Sequence, residues 1–120
     1  MNKNWIGMTT DMSAAVRDVR SGAPDVMKGF SALAQAALKA GALDTKTKEL
    51  IALAISVATR CDACVAFHAE AAVKQGATRD EIMETMGMAI YMGAVPSVMY
   101  AAQAVEAFYQ FKERSVRSAA

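Results

Sequence analysis

The sequence predicts an all-helical protein, and three observations carry that prediction. Alanine supplies roughly a fifth of the residues, methionine is frequent at 9, and there are only 2 prolines, a composition that favours helix. Apolar side chains recur at three- and four-residue spacing, most clearly at Met27, Phe30, Leu33, Ala34, Ala37 and Leu38, which gives a helix one apolar face. Between such stretches stand helix caps and breakers, with no linker, low-complexity tract or internal repeat.

Taken in order, Thr9 or Thr10 is placed to cap a first helix running to about Arg20. Ser21 and Gly22 interrupt the chain, and Pro24 opens a second helix, since proline suits the first helical turn. Gly41 ends that helix, and Asp44 or Thr45 caps a third. The body of the third, Leu50 to Ala58, is apolar on nearly every side, the pattern of a central, buried helix. Its Leu53, Ile55 and Val57 alternation also fits a strand, but the helical neighbours favour helix. A break is expected near Thr59 to Cys61, because one helix from Thr45 to Gln75 would be unusually long. The fourth helix, Asp62 to Gln75, stops at Gly76. Thr78 and Glu81 have capping-box spacing for a fifth, which runs to about Gly93. Pro96 opens a last helix reaching roughly Arg114, giving about six in all.

The chain has 120 residues, the size of a single domain (1–120). Its formal net charge of +1 offers no broad field for nucleic acid or an anionic membrane. Met1 to Met12 lacks a signal-peptide layout, and Leu50 to Ala58 is too short to span a bilayer, so a cytoplasmic location is expected. The hydrophobic fraction is 54%, more apolar surface than a small domain easily buries alone. Self-association in a closed symmetric assembly is the natural outlet.

The 2 cysteines, Cys61 and Cys64, lie three positions apart. A structural disulfide closing so small a loop removes little chain entropy, whereas a catalytic or metal-binding pair has this spacing. Residues 61–68 read Cys-Asp-Ala-Cys-Val-Ala-Phe-His. On a helix, Cys61, Cys64 and His68 share one stripe. The positive end of the helix favours thiolate at Cys61, and His68 can exchange a proton with Cys64 across one turn. A thiolate attacks disulfides and peroxides, and a second cysteine captures the oxidised sulfur. Glu49 is the fourth candidate. It either orients His68 or a cysteine and carries protons, or is a solvated helix-start glutamate beside Lys46 and Lys48. Two cysteines, His68 and Glu49 could also be zinc ligands, but structural zinc sites usually draw ligand pairs from separated segments. Met83, Met86, Met88, Met92 and Met99 read as core or interface filling, and Trp5 as packing against a neighbouring helix or subunit.

Glu49-Leu50 followed by Cys61-Asp62-Ala63-Cys64-Val65-Ala66-Phe67-His68 resembles the core of the carboxymuconolactone decarboxylase superfamily, within it the AhpD-like alkyl hydroperoxidase branch. The likeness continues through Gly76-Ala77-Thr78-Arg79-Asp80-Glu81-Ile82, the Met92-Gly93 to Pro96 turn and Tyr100-Ala101-Ala102, over about residues 24–110. The resemblance implies an AhpD-like helical bundle assembled as a trimer or hexamer. It implies a cofactor-free peroxidase or disulfide reductase in which Cys64 attacks a hydroperoxide, Cys61 resolves the product, and His68 and Glu49 relay protons. A thiol or dithiol electron-donor protein, such as a lipoyl-bearing one, would restore the pair. Tyr100 would stand near the site. The sequence departs from the pattern at Ala63, where some relatives carry a polar or aromatic residue, and in its less glycine-rich 92–96 turn. An oxidant-sensing helical module and a lyase of the decarboxylase type are the alternatives. The decarboxylase branch works without this dithiol.

Overall fold

The computed structural model describes residues 3–119, which form five α-helices and, among the described residues, no strand. They are α1 (Trp5–Gly22), α2 (Pro24–Leu38), α3 (Thr45–Ala58), α4 (Asp62–Lys74) and α5 (Arg79–Ala119). Helices α3, α4 and α5 pack against one another, and α1 lies across α4 and α5. The shared core is lined by Leu53 and Val57 of α3, Val65, Ala66 and Ala69 of α4, and Ile82, Ala104 and Phe111 of α5. The alanines on α4 and α5 let these helices approach closely and bury continuous apolar area.

Several caps fall where the sequence puts them. Pro24 stands at the start of α2. The Asp44 carboxylate accepts the Thr47 N–H at 2.8 Å and caps α3, and that hydrogen bonding holds its carboxyl below the usual range. Thr78 and Glu81 close a reciprocal capping box: the Thr78 N–H donates to Glu81 Oε1 at 2.8 Å, and the Glu81 N–H to Thr78 Oγ1 at 3.1 Å. The other Glu81 oxygen lies 2.8 Å from Lys46 Nζ, tying the start of α5 to that of α3.

The structure departs from expectation at three places and leaves one apolar face uncovered. Helix α1 starts at Trp5, earlier than predicted, because Asn4 Oδ1 accepts the Gly7 N–H at 2.9 Å. Thr9 and Thr10 therefore sit inside the helix, and both hydroxyls donate back to the Ile6 carbonyl. The apolar face of α2 does not enter the core. No α2 residue is buried, and the helix touches only α1 and α3. Helix α3 is not buried all round either, for Ile51 and Ile55 are exposed. Last, the two helices expected on either side of the Gly93–Pro96 turn run on as the two arms of α5, broken only by non-helical backbone at Ala94, and the second arm continues past Arg114 to Ala119.

That corner lies at Ala94, with φ 58° and ψ −148°, a conformation costly for any residue with a Cβ. One residue earlier, a Cβ on Gly93 would come within 2.9 Å of the Ser97 Cβ, so the close approach requires glycine. The two arms, 79–93 and 95–119, fold back on each other, and Arg79 Nε donates to the Tyr109 hydroxyl at 2.8 Å. By length and composition alone α5 would suit a membrane span, but its corner folds it double.

Candidate active site

The site is built around the turn that joins α3 to α4. Two backbone hydrogen bonds make this turn: Cys61 N–H to the Ser56 carbonyl at 3.1 Å, and Arg60 N–H to the Val57 carbonyl at 3.2 Å. This is the Schellman pattern, which needs a left-handed residue just past the helix end. Arg60 takes that conformation, with φ 57°. The break thus falls at Thr59 to Cys61 as expected, but the left-handed position carries no glycine to mark it.

Leaving the turn, Cys61 becomes the N-cap of α4, and its Sγ accepts the Cys64 N–H at 3.3 Å. A sulfur in this place sees the positive end of the helix and an N–H aimed at it, both of which favour its anion. Cys61 and Cys64 are joined as a disulfide, their Cα atoms 5.2 Å apart. One turn further along α4 stands His68, on the stripe predicted for it.

Glu49 reaches this stripe from α3. Its carboxylate Oε1 lies 3.0 Å from His68 Nδ1. Glu49 is only 6% exposed, which rules out the solvated helix-start reading. A carboxylate withdrawn from water needs a donor, or its burial costs several kcal/mol, and the protein's single histidine supplies it. With Nδ1 engaged by Glu49, His68 keeps Nε2 for exchanging a proton with a neighbour. All four predicted residues therefore meet at the α3–α4 seam, as two pairs: Cys61 with Cys64, and Glu49 with His68. Among the described residues no hydrogen bond joins the two pairs, and no three His, Cys, Asp or Glu side chains are arranged to hold a metal ion.

Three further polar residues border the dithiol. Asp62, between the cysteines in the first turn of α4, is 2.8 Å from Lys3 Nζ. Hydrogen bonding to Lys3, and then to Tyr100, holds the Asp62 carboxyl below the usual range, against the opposing effect of burial. The same contact with Asp62 pushes the Tyr100 phenol up. Tyr100 accordingly lies beside the dithiol turn. Sequence reading missed Lys3, because 59 positions separate it from Asp62 and no local pattern links them. Trp5 is fully buried, its indole N–H donating to Glu106 at 2.8 Å and its backbone N–H to Gln110 at 2.8 Å, so its role is packing against α5.

Fold and site together define an all-helical protein with a Cys-x-x-Cys disulfide at a helix start, backed by a buried glutamate paired with a half-buried histidine. The sequence pattern of the Carboxymuconolactone decarboxylase family matches residues 24–107, and the chain belongs to that family. It is similar to an uncharacterized protein of Cupriavidus necator, 35% identical over 108 residues, covering 84% of this chain and 96% of the relative. Among solved structures it resembles a carboxymuconolactone decarboxylase family protein from Legionella pneumophila. That match has a TM-score of 0.88 and 53% identity, over 90% of this chain and 96% of the other. A second structure is a family protein from Thermotoga maritima described as possibly involved in antioxidative response. It has a TM-score of 0.82 and 28% identity, over 92% of this chain and 94% of the other.

Proposed function

We propose that this protein is a dithiol peroxidase and disulfide reductase of the AhpD-like type, acting on organic hydroperoxides. The observation that carries the reading is the pairing of buried Glu49 with half-buried His68, one helical turn from a redox-competent cysteine pair. Neither an inert disulfide nor a packing cysteine needs a proton relay beside it.

In the reduced enzyme the Cys64 thiolate attacks the terminal oxygen of the hydroperoxide. The O–O bond breaks, Cys64 becomes a sulfenic acid, and the alcohol leaves with a proton from His68, which Glu49 holds in orientation. The Cys61 thiolate, favoured by the helix end, then attacks the Cys64 sulfur. An S–S bond forms, and the hydroxyl leaves as water after taking a second proton. A thiol or dithiol donor protein, such as a lipoyl-bearing one, reduces the disulfide and is itself oxidised. The antioxidative role suggested for the Thermotoga relative agrees with this cycle. The working form is a homotrimer or homohexamer in the cytoplasm, which would cover the exposed apolar faces of α2 and α3.

The roles of the two sulfurs separate in single variants. Cys64→Ser should abolish turnover. Cys61→Ser should leave a sulfenic acid on Cys64 that a dimedone-type probe traps, since no partner thiol remains to condense with it. Wild-type activity in both variants, or a trapped sulfenic acid on Cys61 alone, would overturn the assignment.

A further inference from the structure

The dithiol turn carries a negative charge that the cycle does not use. Asp62 sits between the two cysteines, and its Cα is one peptide, about 3.8 Å, from that of Cys61. An uncompensated carboxylate there repels a second negative charge and so opposes thiolate formation. Its partner comes from the far end of the sequence. Lys3 Nζ lies 2.8 Å from Asp62 Oδ2 and 2.5 Å from Gln103 Oε1.

Lys3 is held there from several sides. Its carbonyl accepts from Gln110 Nε2 at 2.7 Å, its ammonium lies 5.4 Å from the Trp5 ring centroid, and the next residue but one, Trp5, is locked into the core. Yet the Lys3 and Asp62 side chains are 39% and 38% exposed, and ion pairs this open contribute little to stability. So much anchoring for so small a gain in stability suggests that the pair acts on its neighbours.

We propose that Lys3 is a positioning residue for the dithiol: by neutralising Asp62 at the start of α4, it keeps the Cys61–Cys64 thiols acidic enough to react at neutral pH. A residue just ahead of α1 thereby sets the reactivity of a turn some sixty residues away. The inference deepens the peroxidase reading, since it names what tunes that same dithiol. The other charged and titratable groups around the thiols are accounted for. Glu49 and His68 satisfy each other. Arg60 precedes Cys61 and is exposed; it is unchanged in every variant of the test below, so it offsets all the profiles alike. Tyr100 shares the Asp62 carboxylate and is neutral at pH 7, its proton held more tightly by that contact.

The test is the pH profile of thiol alkylation by iodoacetamide on the reduced, full-length protein. Lys3→Met should move the profile to higher pH by about half a unit, the size expected for one charge acting across a largely solvated gap of several ångströms. Asp62→Asn should move it to lower pH by a similar amount. The double variant should return close to the parent, and Lys3→Arg should stay there. A merely structural contact would not produce opposite shifts that cancel. If Lys3→Met loosens the docking of α1, Asp62→Asn decides alone, since it leaves Lys3 and Trp5 in place. An unchanged profile in Asp62→Asn, or a shift in the same direction in both single variants, overturns the proposal. Peroxide turnover is read separately: shifted profiles without turnover in the parent protein would sink the peroxidase reading and leave this one standing.

Discussion

Helix α4 begins and ends in turns of the same construction, but their left-handed residues differ. At its C-terminal end the Ala77 N–H bonds the Ala72 carbonyl and the Gly76 N–H bonds the Val73 carbonyl, each at 3.0 Å, with Gly76 at φ 82°. Before its N-terminal end the Ser56–Cys61 turn repeats that pair of bonds with Arg60 at φ 57°. Glycine takes this conformation without strain, while an L-residue with a Cβ incurs about 1 kcal/mol or more. The strained turn is the one that delivers Cys61 to the helix start and sets the α3–α4 seam. The relaxed turn only reverses the chain. Backbone strain retained beside reactive groups is a recurrent feature of functional sites. It implies that changes at the two ends of α4 should fall on different observables, activity at one and stability at the other.

The largest expected effect is at the reactive end. His68→Gln and Glu49→Gln should each slow reaction with hydroperoxide about a hundredfold, the usual scale for losing a general acid–base group, with thermal midpoints close to the parent. His68→Gln should also move Cys64 alkylation to higher pH. Stopped-flow oxidation and thermal melts on the same samples check both, and a collapsed fold with a normal rate in the surviving fraction would make the pair structural.

A change of assembly comes next. On α2, Val26, Phe30 and Leu33 are 71%, 59% and 63% exposed, an apolar stripe that meets nothing in the single chain. Placing glutamates at Phe30 and Leu33 should convert the proposed oligomer to monomers in sedimentation at micromolar protein. A parent protein that already sediments as a monomer would remove the argument.

The smallest effects are those of the two turn residues. Nothing lies within 4 Å of a Cβ built on Gly76, so Gly76→Ala should lose about 1 kcal/mol of stability from conformation alone, with peroxide turnover intact. Arg60→Gly should relieve the strain and gain about 1 kcal/mol or less. If it also loosens the α3–α4 seam, activity falls while stability rises, the outcome expected where strain positions a site. Equal loss of stability at both ends in chemical denaturation would erase the distinction.

The same contrast explains what could be read from the sequence. Asp44, Pro24, Gly76 and the Thr78–Glu81 box are local signals whose partners lie within a turn, and they land where expected. The Cys61, Cys64 and His68 stripe follows from helical period alone. Glu49 is a candidate partner of His68, but spacing leaves that reading even with a solvated residue, since the two are 19 positions apart and the contact depends on how α3 packs on α4. Arg60 adopts a conformation that packing imposes against local preference, so no residue type announces its bend, whereas Gly93 and Pro96 mark the bend at Ala94 although Ala94 itself does not. The exposure of α2 is invisible to periodicity, which finds an apolar face but not what covers it. The Lys3–Asp62 contact joins the chain's start to its middle and leaves no pattern at either end.

The central claim is that the strained end of α4 is a working dithiol. It is tested most directly by mixing the fully reduced protein with an organic hydroperoxide in a stopped-flow instrument and quenching for thiols and disulfides. The account predicts that each chain loses two thiols and gains one intramolecular Cys61–Cys64 disulfide. The rate should rise linearly with peroxide and far exceed that of a free small-molecule dithiol, and added reductant should restore the cycle. A disulfide that forms no faster than in the free dithiol, or that forms once and cannot be turned over, would contradict it.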